Sequence, residues 1–161
     1  MVTQIPRHSV FISFKHEDTQ QVNGFMGMTN FDNDFDFINR KLDYIVQGTP
    51  ETLANTIREN YIKKSVVTVV LLGERTHEID PGDWINREIK MTLRQKHGLL
   101  GIFLKGVTTT KVPATLYECH QNKYAEVLWW KEQKEFRQAI HNAFLRSQRF
   151  SDYDFSKIQG L

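Results

Sequence analysis

The longest unbroken apolar stretch is Val66-Val67-Thr68-Val69-Val70-Leu71-Leu72, closed by Gly73. It is too short to span a membrane, and its β-branched residues favour a strand buried on both faces over a buried helix. A polar segment, residues 74–82, follows it. Trp84-Ile85-Asn86-Arg87-Glu88-Ile89 then begins a helical pattern with Ile85, Ile89, Thr92 and Leu93 on the buried stripe. Asp83 is a candidate cap, Asp80-Pro81 an earlier start, and Gly98 the expected stop. Glu88 falls on the border of the stripe, with Trp84 one turn before it on the same face.

The same alternation runs along the rest of the chain. Residues 9–14 (SVFISF) predict a first strand, ended by the polar turn Lys15-His16-Glu17-Asp18. Asp18 or Thr19 caps a helix running to about Met28, and residues 29–34 form a loop. A short second strand is expected near residues 35–38. Thr49-Pro50 opens a helix whose expected buried face is Leu53, Ile57 and Tyr61. Residues 99–104 predict a fourth strand, residues 124–128 an edge strand, and residues 131–148 a last helix with Phe136, Ala139, Ile140, Ala143 and Phe144 on one face. Residues 105–123 show no clear period. The tail from Arg149 retains Phe150, Tyr153, Phe155 and Ile158, which suit a docked segment.

Strands alternating with helices predict an α/β fold: a flavodoxin-like parallel sheet of about five strands, order 2-1-3-4-5, with helices on both faces. Residues 1–161 read as a single domain with a core of about 7–148. In that strand order the first and third strands meet at the switch point, where open α/β sheets place ligands. The turn after Phe14 and the start of the Trp84 helix then flank one crevice, with Glu88 opposite Phe14, Lys15 and His16 and with Asp36 at its rim.

Composition narrows the chemistry. A net charge of +2 without a dense basic block does not indicate nucleic acid. The single cysteine, Cys119, excludes an internal disulfide and suits a reducing compartment. Residues 1–8 lack the apolar core of a signal peptide, so a cytoplasmic protein is expected, without a membrane partner. Asp32-x-Asp34-x-Asp36 resembles the start of a calcium loop, but Phe37 stands where glycine is required and Asp43 where glutamate is. The histidines lack paired metal spacing, and no metal site is expected. Glycine patterns for nucleoside triphosphates or dinucleotides are absent. Cys119-His120 has no elbow or strand before it to present a nucleophile.

These residues together resemble a family. Val10-Phe11-Ile12-Ser13-Phe14, followed by a polar turn with Asp18, resembles the first strand of TIR domains. Ser65-Val66-x-Thr68-Val69-Val70-Leu71-Leu72-Gly73, then Thr76, then Trp84-Ile85-x-x-Glu88-Ile89, resembles the third strand and glutamate-bearing helix of TIR-like proteins. The chain is similar, over roughly residues 7–104, to the TIR-like signal-generating subunits of bacterial Thoeris antiphage systems. The resemblance implies an NAD nucleosidase or ADP-ribosyl cyclase type of enzyme. NAD would be the substrate rather than a bound cofactor, and a cyclic or conjugated ADP-ribose the product. Glu88 matches the family's catalytic position, and Phe14, Lys15, His16 and Trp84 its substrate-lining positions. It further implies a separate effector that responds to the product, and it raises a phage-derived trigger and a homo-oligomer. Two alternatives stand beside it: a non-catalytic TIR-like interaction module, and a nucleoside deoxyribosyltransferase-like enzyme. A phosphoacceptor receiver would end its third strand in aspartate, where this chain has Leu72-Gly73.

Overall fold

The computed structural model describes residues 5–29, 36–37, 51–130 and 133–161. The strands are β1 (Ser9–Ser13), β2 (Asp36–Phe37), β3 (Val67–Leu72), β4 (Gly98–Phe103) and β5 (Glu126–Trp129). The helices are α1 (Thr19–Thr29), α2 (Glu51–Lys63), α3 (Trp84–Arg94), α4 (Ala114–Gln121) and α5 (Gln133–Ser147). The fold is α/β, and every strand pair is parallel. Four strands of normal length run β1-β3-β4-β5, and the two-residue β2 pairs outside β1. Of the expected loop at 29–34, Thr29 closes α1 and residues 30–34 lie outside the described residues, as do the start of the helix at Thr49-Pro50 and the Asp32 and Asp34 positions.

Strand alternation divides the core into two layers. Val67, Val69 and Leu71 of β3 pack with Val22 of α1 and with Phe136, Ala139, Ile140 and Ala143 of α5. Val70 and Leu72 face the other way, onto Ile85, Ile89 and Leu93 of α3 and Leu116 and Cys119 of α4. β3 is fully buried because both of its faces are covered, which is why its sequence is continuous rather than alternating. A smaller cluster joins Phe11 of β1 to Ala54 and Ile62 of α2 and Met91 of α3. Tyr124 gathers the tail: Phe150, Tyr153 and Phe155 meet its ring edge-on, with centroids 5.5, 5.0 and 5.1 Å away. The tail aromatics therefore dock, as their composition suggested.

Three local expectations are corrected. Gly98 does not stop α3; the left-handed residue after the helix is Lys96 (φ 59°), and Gly98 opens β4. There a Cβ would stand 2.6 Å from the Ala143 carbonyl oxygen, so glycine lets α5 lie close on the sheet. Asp83 is itself left-handed (φ 47°), and its carboxylate accepts from the Asn86 side chain at 2.8 Å instead of capping backbone N–H groups. On α2 the buried positions are Ala54, Arg58 and Ile62, one turn apart, whereas Leu53 is 50 % exposed and Ile57 and Tyr61 only flank the cluster. α4 was hidden because so short a helix, with Leu116 and Cys119 as its buried apolar residues, carries too little period to read. Among the described residues no helix is long and apolar enough to cross a membrane.

Candidate active site

The carboxyl ends of β1 and β3 meet at the start of α3. Glu88 projects there from the first turns of α3 and is 5 % exposed. The Ser13 hydroxyl, on the last residue of β1, donates to Glu88 Oε1 at 2.8 Å. Arg58 Nε, from α2, lies 3.3 Å from Oε2. The Arg58 guanidinium also stacks on Trp84, with its central carbon 3.8 Å from the ring centroid, and Arg87 approaches the same indole at 5.1 Å. A carboxylate this buried needs charge or hydrogen-bond partners, and here they come from β1 and α2. α3 is held below by Thr92, whose hydroxyl donates to the Glu88 carbonyl at 2.8 Å and contacts the Thr68 hydroxyl of β3 at 2.6 Å.

Beside this cluster opens a pocket of about 220 Å³. Its walls include Phe14, Lys15, His16, Arg58, Asp80 and Trp84. Four of the sequence-nominated residues thus share one cavity; Glu88 is not among its lining residues, but Arg58, its ion-pair partner, is. His16 is exposed at the mouth and Phe14 half-buried. Lys15 is not a free cation: it is buried, donates to the Glu78 carbonyl at 2.8 Å and pairs with Asp80 at 3.0 Å. It ties the β3–α3 loop across the end of β1. A second tie joins Gly73 N–H to the Thr76 hydroxyl at 2.8 Å, beside the Asp18 carboxylate, which packs against Gly73 Cα. Burial, and then the neighbouring Glu17 charge, raise the Asp18 pKa. The Gly73 and Thr76 part of the motif is therefore architectural.

Asp36 stands apart from the others. Its backbone pairs with Ser9, at the opposite end of β1 from Ser13. Four residues of strand separate the two levels, roughly 13 Å. The crevice-rim expectation for Asp36 is corrected on that register. Cys119 is fully buried and desolvation pushes its thiol up to about 12, the opposite of an activated nucleophile. A larger cleft of about 660 Å³ lies between α3, α4 and the tail, with Lys90, Lys111, Tyr117 and Lys157 on its walls. It contains none of the nominated residues, and the strand ends open into the smaller pocket. Two residues were missed in the sequence, Ser13 and Arg58. Arg58 had a signal: the spacing Ala54, Arg58, Ile62 puts a guanidinium in the middle of an apolar helix stripe.

A parallel α/β domain with a buried glutamate and a tryptophan at the strand ends has the TIR-like architecture. The family model described as "Thoeris protein ThsB, TIR-like domain" matches residues 11–109, from β1 past β4, and the chain belongs to that family. Among solved structures it is similar to a Clostridium botulinum CMP N-glycosidase, BcmB. That likeness has a TM-score of 0.51 at 13% identity and covers 83% of this chain and 95% of the other, which speaks to the fold. No curated protein matches.

Proposed function

We propose that this domain cleaves NAD at the nicotinamide–ribose bond, with Glu88 as the catalytic carboxylate, and passes on an ADP-ribose product as a signal in antiphage defence. The observation that carries the reading is the joint placement of Glu88 and Trp84 at the ends of β1 and β3, against a pocket that reaches Phe14, Lys15 and His16. Nicotinamide leaves as a neutral ring, taking the electron pair of the broken C1′–N bond, so no general acid is needed. The barrier lies in the positive charge that builds on the ribose. A buried carboxylate held by Ser13 is suited to stabilise that charge and to hold a ribose hydroxyl. Trp84 and Phe14 offer ring faces for the base or the nicotinamide. Capture of the ribosyl cation by water gives ADP-ribose. Capture by a nucleophile of the substrate or of an added molecule gives a cyclic or conjugated product, which a dry site favours. The effector, the infection-linked trigger and self-association belong to the same proposal, as does a cytoplasmic setting.

The similar structure is named a CMP N-glycosidase. That favours one second reading, cleavage or transfer at a nucleoside or nucleotide N-glycosidic bond, and a purely adaptor role is the third. Separate incubations of infected-cell lysate carrying the protein with NAD, with CMP and with deoxynucleosides, followed by mass spectrometry, decide among them. Nicotinamide and an ADP-ribose species from NAD are expected. Free cytosine or exchanged bases without nicotinamide would select the second reading, and unchanged substrates in all three the adaptor.

A further inference from the structure

Arg58 is unusual for a residue outside the reaction. Its guanidinium is a planar, delocalised cation whose central carbon lies 3.8 Å from the Trp84 ring centroid, and it is paired with Glu88 in the same position. Its side chain is 11 % exposed and that of Glu88 7 %, so the pair is shielded from water. Glu88 Oε2 faces Arg58, and Oε1 is already taken by Ser13. A ribose reaching for this carboxylate from the pocket meets Arg58, because Arg58 lines the pocket and Glu88, which it pairs, does not.

We propose that Arg58 is a resident stand-in for the substrate's own cation: it fills the subsite in which a planar cationic ring stacks on Trp84 against Glu88, and it must leave for that ring to enter. The proposal rests on the NAD-cleaving reading and adds the specificity of the subsite. Withdrawing Arg58 alone leaves a buried carboxylate without its cation, which is costly. A ligand carrying a planar cation restores both lost interactions, the ion pair and the stack on the indole. A neutral ring restores only the stack. The subsite therefore selects oxidised nicotinamide, a pyridinium, over its reduced and uncharged form. The resident guanidinium also keeps the site closed at rest, since apparent affinity falls with the fraction of molecules in which the subsite is open.

The test compares the intact wild-type chain with Arg58→Met, which keeps an unbranched stem but removes the guanidinium and its charge, and Arg58→Lys, which keeps a cation that cannot stack as a plane. Calorimetric titration with NAD⁺ and with NADH is run on each, with nicotinamide release measured with and without infected-cell lysate and thermal melts as a fold check. Expected for Arg58→Met is NAD⁺ binding at least about tenfold tighter than wild type, a preference over NADH retained in every variant, and nicotinamide release without lysate. Arg58→Lys should fall between wild type and Arg58→Met, which covers the case in which Arg58→Met melts below the assay temperature. Unchanged or weaker NAD⁺ binding by a folded Arg58→Met or Arg58→Lys protein would overturn the proposal. So would loss of lysate-dependent release, since Arg58 would then hold Glu88 in working position. Lysate-dependent release by wild type combined with either of those results leaves NAD cleavage standing and removes the stand-in. Tighter NAD⁺ binding by Arg58→Met, with no nicotinamide release by wild type or either variant with or without lysate, leaves the cation subsite standing and removes the cleavage reading.

Discussion

Ser13→Ala isolates the contact that couples β1 to the candidate catalytic group. Ser13 is buried and its hydroxyl donates to Glu88 Oε1 at 2.8 Å. Alanine removes the donor and adds no apolar volume, so the carboxylate loses a charge-assisted hydrogen bond in a site that water barely reaches. Such bonds contribute about 1.5–3 kcal/mol. At roughly 2–4 °C per kcal/mol for a domain of this size, the melting temperature should fall by roughly 3–12 °C. Glu88 also gains freedom to swing toward Arg58, and loss of a fixed geometry near a reacting atom costs on the order of 10–10²-fold in turnover. Thermal melts and nicotinamide release are measured on the same preparations. Ser13→Thr keeps the hydroxyl and should recover part of the turnover even where its added methyl lowers the melting point. A Ser13→Ala protein that melts and turns over like wild type would refute the idea that Ser13 holds the carboxylate.

Other outcomes follow from the same geometry. Trp84→Ala removes the surface on which Arg58 and Arg87 lie, and Trp84 is only half-buried. It should abolish most NAD turnover while costing less than the ~3–5 kcal/mol of a fully buried aromatic, which paired melts and activity assays report. Cys119, with its pKa pushed up to about 12, should resist a thiol reagent such as dithionitrobenzoate in the folded protein and react fully in denaturant. Rapid labelling of the native chain would contradict its burial. His8 and His97 both have pKa values lowered from the usual 6.5, each chiefly by burial, with His141 adding to the effect at His8. Groups depressed in this way bind protons more readily unfolded, so stability should be fully present above pH 6.5 and decline as pH falls from 6.5 through the lower folded values. Melting temperatures at pH 7.5, 6.5 and 5.5 check the sign, and His8→Phe, which keeps the stack on Phe144, should flatten part of the slope.

The strong periods were the legible ones. β3 could be read because both of its faces are buried, and α3 because Ile85, Ile89 and Leu93 repeat at helical spacing. From those two elements, the switch-point rule puts Glu88 beside the end of β1. What could not be read was the partner set of Glu88. Ser13 looked like one more residue of a strand, and Arg58 belongs to a helix that meets α3 only in the folded state. A long-range ion pair leaves no local period. The stripe border alone did not show how Glu88 could be covered: Arg58 and Ser13, from other elements, are its partners there. Asp36 failed through register, because the pairing of β2 with the beginning of β1 moved it to the far end of the sheet. α4 and the link from Asn86 Oδ1 to the Thr115 N–H, at 3.0 Å, arose in a segment with little hydrophobic pattern.

The central claim is that Glu88 carries the chemistry, and Glu88→Gln tests it most directly. Glutamine keeps the volume and the hydrogen bond to Ser13 but has no charge to oppose the one that builds on the ribose. Loss of a preorganised electrostatic group typically costs on the order of 10²–10³ in rate. The measurement is nicotinamide release from NAD by wild-type and Glu88→Gln proteins at matched concentration in infected-cell lysate, with melts to show that both are folded. A folded Glu88→Gln protein should release nicotinamide at the background of lysate lacking the protein, while wild type rises well above it. Release by Glu88→Gln at the wild-type rate would contradict the account.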